Sequence, residues 1–323
     1  MPPATQTRYQ NAFDKFKAFA SEHGLSVLPG PDVDQSLEVY LDHLWFDGRG
    51  IYDARVAVYG AAYVQRSNLK DPTVLQLARA ALRGWQKRMG DVSRDPMPQQ
   101  ALFLACDWLC DTGEAADLSA AQALVTQFDG YFRPGEVCQV TANDIKIAPT
   151  CLRGAGYPLA AVMIAQSSEG DDGGASRRPT TKAGEQDDTV VFGDAGSKKA
   201  GRDQVAGLLA KLMAAKKGRS TPLFGLTLPE YERRCKVAFQ QCGLGPLRLT
   251  PHTARHGGPS TDAALGLRGE DQIQSRGRWK ARKSVLRYMK QGRLMRQINR
   301  LTPAQLLKYK TVSTTLFKKL MSF

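Results

Sequence analysis

Apolar residues recur at helical spacing along most of the chain and leave that rhythm in one short central region. Roughly the first 95 residues predict four amphipathic helices. Tyr9, Phe13, Phe16 and Ala20 share a face of the first. Leu37, Tyr40, Leu41, Leu44 and Trp45 stripe the second, with Asp34 as its candidate cap and Gly48 past its end. Val56, Tyr59, Ala62 and Tyr63 mark the third. A fourth is predicted to open at Pro72, because proline suits a first helical position, and to carry Leu75, Leu77, Ala81, Leu82 and Trp85. These aromatics are expected in the core. The polar segment Asp91–Pro98, with two prolines, reads as an interdomain linker.

Helices are predicted next over 98–111 and 118–129, after which Gly130–Glu136 breaks the period and starts a short helix. Three β-prone runs follow: Ile145–Ile147, Leu159–Ile164 and Thr189–Phe192. Between the last two lies Gln166–Asp188, rich in Gly, Ser, Asp and Thr, so a small antiparallel sheet with one long connection is predicted. From Asp203 the helical pattern returns over 203–217, 229–242, 252–265, 270–277, 283–299 and 303–320. The predicted fold class is mainly α with a small antiparallel β-sheet (α+β), in two domains, 1–94 and 95–323.

Composition narrows the function classes. Of 323 residues, 42% are apolar and 24% charged, which excludes global disorder and a collagen-like fibre. The longest apolar stretch, Tyr157–Ala165, is far short of the roughly 20 residues that span a bilayer. Met1–Gln10 is polar with two prolines and shows no leader, so an intracellular chain, complete as given, is expected. In a eukaryote that means the nucleus, in a bacterium the cytoplasm or nucleoid. Cys106, Cys110, Cys138, Cys151, Cys235 and Cys242 form no CxxC pair, and with four histidines they give no metal-ligand spacing. Reduced thiols are expected, a catalytic Cys–His pair being the lesser reading. No phosphate-binding GxxxxGK[ST] loop is present.

The net charge of +14 is uneven. Residues 251–323 hold 16 basic against 3 acidic side chains, while 101–200 hold 8 against 14. A localised positive field attracts a polyanion and makes its binding salt-dependent. Trp279, Tyr288 and several leucines interleave with the cations, which suits packed helices better than a tail.

Within this basic setting, residues with chemical potential follow an informative order. Arg133 and Glu136 stand three apart at a helix start. Lys182 lies in Thr181-Lys182-Ala183-Gly184, before an apparent strand. His252 and Arg255 follow Thr250-Pro251, a cap with proline in the first turn, and Trp279 and Tyr288 close the series nine apart. The series resembles the tyrosine recombinase (phage-integrase-like) family, which carries Arg…Lys…His-x-x-Arg…His/Trp…Tyr in that order. The local text is similar too: Arg133-Pro-Gly-Glu136, Lys182-Ala-Gly184, Leu249-Thr-Pro-His252-Thr-Ala-Arg255-His256 and Gly277-Arg-Trp279. The resemblance covers most of the chain, the N-terminal helices being similar to the family's core-binding domain.

The resemblance implies a DNA strand transferase acting through a 3′-phosphotyrosyl intermediate. Arg133 and Arg255 would clamp the non-bridging oxygens, since guanidinium forks hold such oxygens at two points and stay charged. Tyr288 would be the nucleophile, and a phenol has to lose its proton during attack. His252 is the candidate base or hydrogen-bond partner, Lys182 the general acid, Trp279 an indole donor that excludes water, and Glu136 the support that orients Arg133 or His252. Arg278, Lys280, Arg282 and Lys283 are the candidate DNA-binding cations. No metal, ATP or other cofactor is called for. The two domains are expected to close as a C-shaped clamp around double-stranded DNA, the implied partner. The resemblance implies a homotetramer on DNA that is a monomer or weak oligomer when free, with residues 303–320 as the candidate helix donated to a neighbour; no membrane is involved.

Taken singly, each residue has a plainer reading: Tyr288 and Trp279 as packing residues, His252-x-x-Arg255 as a cap with a surface arginine, Lys182 as a solvated loop cation that Lys198 or Lys199 could replace, His256 as structural. Only their joint order favours chemistry. Two departures from the family stand out. Gly257-Gly258-Pro259 follows Arg255-His256, and Pro259 is expected to kink or shift the helix. The acidic insert Glu169–Gly174 is expected to point outward. The rival activities are type IB topoisomerase-like relaxation or resolution, and a domesticated mobile-element copy that binds DNA without cutting it.

Overall fold

Proline opens helices where its missing N–H goes unneeded: Pro3, Pro31, Pro134, Pro251 and Pro303 each stand at a first helical position. In this computed structural model, residues 2–89, 94–149, 159–164, 189–216 and 221–322 are described. The chain divides into two units, Met1–Ser93 and Arg94–Phe323. The fold is mainly helical with a small three-stranded antiparallel sheet.

The first unit packs α1 (Pro3–Glu22), α2 (Pro31–Phe46), α3 (Ile51–Val64) and α4 (Gln76–Met89) around Phe16, Leu37, Leu41, Ala57, Ala61 and Trp85. Three details differ from the sequence-based expectation. Helix α4 begins at Gln76 rather than at Pro72, because residues 72–75 form turns and Leu75 takes a left-handed backbone (φ 50°). Asp34 does not cap its own helix. Its buried carboxylate crosses to α4 and accepts the N–H groups of Leu77 (2.9 Å) and Ala78 (3.0 Å), donors that a helix start leaves orphaned. On α3 the small residues Ala54, Ala57 and Ala61 face the core, and Tyr59 and Tyr63 lie outside against Tyr9. The reason is close helix packing: a methyl group on Gly60 would meet the Tyr9 carbonyl oxygen at 2.6 Å.

The second unit starts with α5 (Gln99–Asp111), α6 (Ala115–Gly130) and α7 (Pro134–Gln139). Strands β1 (Ile145–Ile147), β2 (Ala160–Met163) and β3 (Thr189–Phe192) follow, paired in that order with Ile145 opposite Val162 and Ala160 opposite Phe192. Then come α8 (Ala195–Lys199), α9 (Gln204–Ala215), α10 (Leu228–Gln241), α11 (Pro251–Ala264), α12 (Glu270–Gly277), α13 (Arg282–Leu286), α14 (Gln291–Ile298) and α15 (Pro303–Leu320). Phe103, Leu124, Phe128, Val162, Leu209 and Phe239 are among the buried core that α5, α6, α9, α10 and the sheet enclose.

Helix α11 continues through Pro259 from Pro251 to Ala264. Its two glycines explain the local sequence: a methyl group on Gly257 would meet the Met97 carbonyl oxygen at 2.3 Å, and one on Gly258 the Phe128 carbonyl oxygen at 2.2 Å. Only glycine lets α11 lie this close to α6. The predicted helix over 283–299 is interrupted instead, with Tyr288 in the turn between α13 and α14. The Ser260 hydroxyl on α11 donates to the Tyr288 carbonyl (2.5 Å) and accepts the Lys290 N–H (3.1 Å), replacing helical partners there. Helix α15 packs against α5 of its own chain. Leu316, Phe317 and Leu320 join the core, and Lys319 bonds Asp107 (2.6 Å) and Asp111 (2.7 Å) on α5. Lys182 and the insert Glu169–Gly174 lie outside the described residues.

Replacing Asp34 by Ala is expected to destabilise the first unit by about 1–2 kcal/mol through loss of the cap on α4. Urea denaturation followed by fluorescence checks this, together with faster amide exchange at Leu77 and Ala78. Unchanged exchange there would contradict the cap.

Candidate active site

Two chain segments far apart in sequence are laid side by side by Gln127, buried near the end of α6. Its amide nitrogen donates to the carbonyls of Phe132 (3.1 Å) and Pro251 (2.8 Å), and its oxygen accepts the Tyr231 hydroxyl (2.6 Å). The Arg133 segment and the start of α11 are thereby fixed together. Arg133 caps α7, and Glu136 at the third helical position reaches back to the Arg133 N–H (2.7 Å). The same carboxylate pairs with the Arg133 guanidinium. At the head of α11, the Thr253 hydroxyl accepts the Thr250 N–H (3.2 Å), which aims His252 and Arg255 from the first turns.

A buried ion network sets the third segment. Asp129 on α6 and Asp262 on α11 are fully buried. Arg202 donates to both (2.8 and 2.5 Å), Arg276 to Asp129 (3.1 Å), and Arg268 to Asp262 and to Asp194 (2.5 Å). Three cations thus face three carboxylates, Asp194 being held well below its usual range: burial opposes this, but Arg268 and Arg276 outweigh it. Through Arg276 the end of α12 is fastened to the end of α6, and Gly277, Arg278 and Trp279 emerge from that junction. Gly277 is required there, since a methyl group on it would lie 2.1 Å from the Trp279 ring.

Three guanidiniums consequently surround Glu136. Arg133 pairs with one oxygen; on the other, Arg278 sits at 2.6 Å and Arg255 at 3.6 Å. Burial pushes the Glu136 carboxyl up, but Arg278, Arg255 and Arg133 overcome it and hold the group below its usual range. Arg255 is fully buried; it donates to the carbonyls of Tyr131 and Gly277, the latter at 3.1 Å. Its Nε–H has no acceptor among the described residues. Burial depresses the Arg255 pKa, Glu136 opposes this, and the guanidinium stays charged at neutral pH.

Against these cations stands a stack of rings. Trp279 lies 4.4 Å from Tyr288 at 22°, and Tyr288 lies 4.4 Å from His256 at 21°. Tyr131 extends the stack behind Trp279 (6.2 Å) and His252 lies beyond His256 (5.4 Å). The Arg255 guanidinium is 5.3 Å from the Trp279 ring centre and 5.6 Å from that of Tyr288. Burial, Arg94 and Arg255 lower His252 to about 4; burial, Lys290 and His252 lower His256 to about 2. Both imidazoles are therefore neutral at physiological pH, with a ring nitrogen able to accept a hydrogen bond. Lys290 Nζ stands 3.3 Å from His256 Nδ1.

Five of the six candidate catalytic residues, Arg133, His252, Arg255, Trp279 and Tyr288, thus gather with Glu136 in one place; the sixth, Lys182, is outside the described residues. Lys198 and Lys199 are exposed on α8. Lys280, Arg282 and Lys283 form an exposed basic face, Arg282 paired with Glu270 (2.6 Å). Arg278 does not belong to that face but is buried beside Glu136. Sequence reading placed it with the DNA-binding cations, because a basic residue in a basic run gives no sign of burial; it took His256 as structural and did not foresee the Asp129–Asp262 network. The only available signal for Arg278 was its place between Gly277 and Trp279. Burial pushes Cys138 and Cys242 up to about 11 and Cys110 up to about 12, so these thiols are not poised as nucleophiles. Among the described residues no cluster of His, Cys, Asp and Glu has the makings of a metal site, and no helix is long and apolar enough to cross a membrane.

No protein-family model and no curated protein sequence matches the chain. Among solved structures it is similar to a crystal structure of XerA recombinase, with 12% identity over 95% of this chain and 98% of that one, and a TM-score of 0.41.

The two depressed imidazoles set a pH dependence. An unfolded histidine titrates near 6.5, whereas the folded His252 and His256 stay neutral to lower pH. The unfolded chain therefore binds more protons below 6.5, and stability falls as pH drops from 6.5 toward 4. Urea midpoints at pH 7.5, 6 and 5 are expected to decrease in that order, with a shallower decline in His256→Gln. A flat series would contradict burial of the neutral rings.

Proposed function

We propose that this protein is a tyrosine-type DNA strand transferase, a site-specific recombinase, with Tyr288 as its nucleophile. The observation that carries this reading is the convergence of Arg133 and Arg255 on one carboxylate, with the Tyr288 ring 5.6 Å from the Arg255 guanidinium. Two fixed cations, one of them with an unfilled buried donor, suit a tetrahedral oxyanion, and charge developing on its non-bridging oxygens is what they stabilise.

In the proposed reaction the Tyr288 oxygen attacks the scissile phosphorus as its proton passes to a base. His252 is the proposed acceptor of that proton; burial and the nearby cations make it a weak base in the free protein, and the negative charge of a bound phosphate would raise its basicity. The bond from phosphorus to the 5′ oxygen breaks, leaving a 3′-phosphotyrosyl link, and Lys182 protonates the departing 5′ oxygen. Arg133 and Arg255 hold the two non-bridging oxygens throughout. Because the ester energy is retained in the phosphotyrosine, attack by another 5′ hydroxyl reverses the step and joins a new strand. Trp279 and His256 keep the Tyr288 ring from turning by stacking on its two faces. The basic face with Lys280, Arg282 and Lys283, and the helical unit Met1–Ser93, supply the DNA grip. Strand exchange between two duplexes would be carried out by a tetramer.

Nicked suicide substrates followed by denaturing gels and peptide mapping test this. Wild type is expected to form a covalent adduct at Tyr288 that Tyr288→Phe abolishes and that Arg133→Ala or Arg255→Ala reduces by about 10²–10³-fold. An adduct on another residue would overturn the assignment of the nucleophile, and supercoil relaxation by a monomer without joining would favour the topoisomerase-like activity. DNA affinity is expected to fall steeply with salt; a flat response would contradict a phosphate-dominated interface.

A further inference from the structure

The clearest unexplained feature of the second unit is the position of Arg278. Its backbone is left-handed (φ 56°), a conformation that costs a side-chain-bearing residue roughly 1–2 kcal/mol and that glycine ordinarily occupies. The turn is fixed by N–H bonds from Arg278 to Ser275 (2.9 Å) and from Trp279 to Gln274 (3.1 Å). It directs the guanidinium inward, over the Phe132 ring (5.3 Å) and onto Glu136 Oε2 (2.6 Å). The same oxygen accepts the Arg133 N–H at 2.7 Å, yet stands 3.6 Å from Arg255, beyond a hydrogen bond.

We propose that Arg278 is a positioning residue of the anion site: by holding Glu136 it keeps that carboxylate from closing onto Arg255, whose charge and free Nε–H are left for an incoming phosphate. Two observations carry this independently of the strained turn. Oε2 already accepts two hydrogen bonds, from the Arg133 N–H and from Arg278, neither of them from Arg255, and Arg255 retains a buried donor with no acceptor among the described residues. A carboxylate that paired fully with Arg255 would neutralise it before any substrate arrived. Competition between two guanidiniums for one anion prevents that, because a charge-assisted bond at 2.6 Å dominates a 3.6 Å contact. Without Arg278, Glu136 moves onto Arg255. The inference rests on reading the cluster as a phosphate site.

Its test uses the full chain and inorganic phosphate at constant ionic strength, with affinity read from thermal stabilisation and folding checked by circular dichroism. Arg278→Met is expected to weaken phosphate binding about tenfold, the scale of one hydrogen bond to a charged group. Adding Glu136→Gln to that variant removes the competing charge and is expected to restore affinity to within about threefold of wild type. Arg278→Lys, which keeps the charge without the fork, is expected to fall between, and it carries the same Glu136→Gln comparison if Arg278→Met does not fold. A merely structural role gives no rescue, so a double variant as weak as the single overturns the proposal. Undiminished binding by Arg278→Met, or no phosphate response in wild type, overturns it equally. Phosphate binding with rescue but no Tyr288 adduct on nicked DNA would sink strand transfer and leave the role of Arg278 standing; an adduct without rescue would do the reverse.

Discussion

A single ionised carboxylate, Glu136, makes the cation cluster possible. Like charges about 4 Å apart repel by roughly 4 kcal/mol at an effective dielectric near 20, so three guanidiniums do not gather in a protein interior unaided. Glu136 offsets that repulsion with two oxygens that engage Arg133 and Arg278 and face Arg255. The helix geometry of Arg133-Pro134-Gly135-Glu136 puts it there: the carboxylate at the third position of α7 returns to the cap residue's N–H as part of starting the helix. One local folding device therefore also organises charge. The cluster keeps a net positive balance, which leaves it able to receive an anion.

Precision at this cluster comes from elsewhere in the unit. Asp129 and Asp262 are buried with no access to water, and each is matched by arginines from other segments of the chain. Such a network adds little stability over an apolar core, but it tolerates few alternative arrangements, because any displaced member leaves a buried charge unpaired. It ties α6 and α12 beside the points from which Tyr131 and Trp279 project, and joins them to the C-terminal end of α11. The close approach of α11 to α6 at Gly257 and Gly258 serves the same end through sterics. Ser260, one position past Pro259, then draws the Tyr288 turn against α11.

Much of this was legible in the sequence where the signal is local. The helical periods, the three short strands and the helix starts at Arg133 and Thr250 are near-neighbour effects, and apart from the start of α4 and the interrupted 283–299 span their elements lie where periodicity puts them. Long-range physics was not legible. Asp34 reads as the cap of the helix it belongs to, and only the folded chain shows it serving α4. Tyr59 and Tyr63 read as core because aromatics usually are, yet tight contact at Gly60 turns the alanine face inward. Tyr288 reads as helical because nothing nearby breaks the period; the partner that interrupts it, Ser260, is 28 residues away. Arg278 reads as one more surface cation. The ordered series Arg133, His252, Arg255, Trp279 and Tyr288 pointed to one site because it relied on co-occurrence rather than on any single neighbourhood.

The most direct measurement is a crystal structure of the protein soaked in tungstate, a tetrahedral oxyanion that anomalous scattering locates without ambiguity. We expect it within hydrogen-bond distance of both Arg133 and Arg255, taking up the Arg255 Nε–H, with the Tyr288 hydroxyl turned toward the metal-oxyanion centre. Tungstate bound only elsewhere, or a Tyr288 hydroxyl pointing away from an oxyanion held by the two arginines, would contradict the arrangement on which the catalytic reading stands.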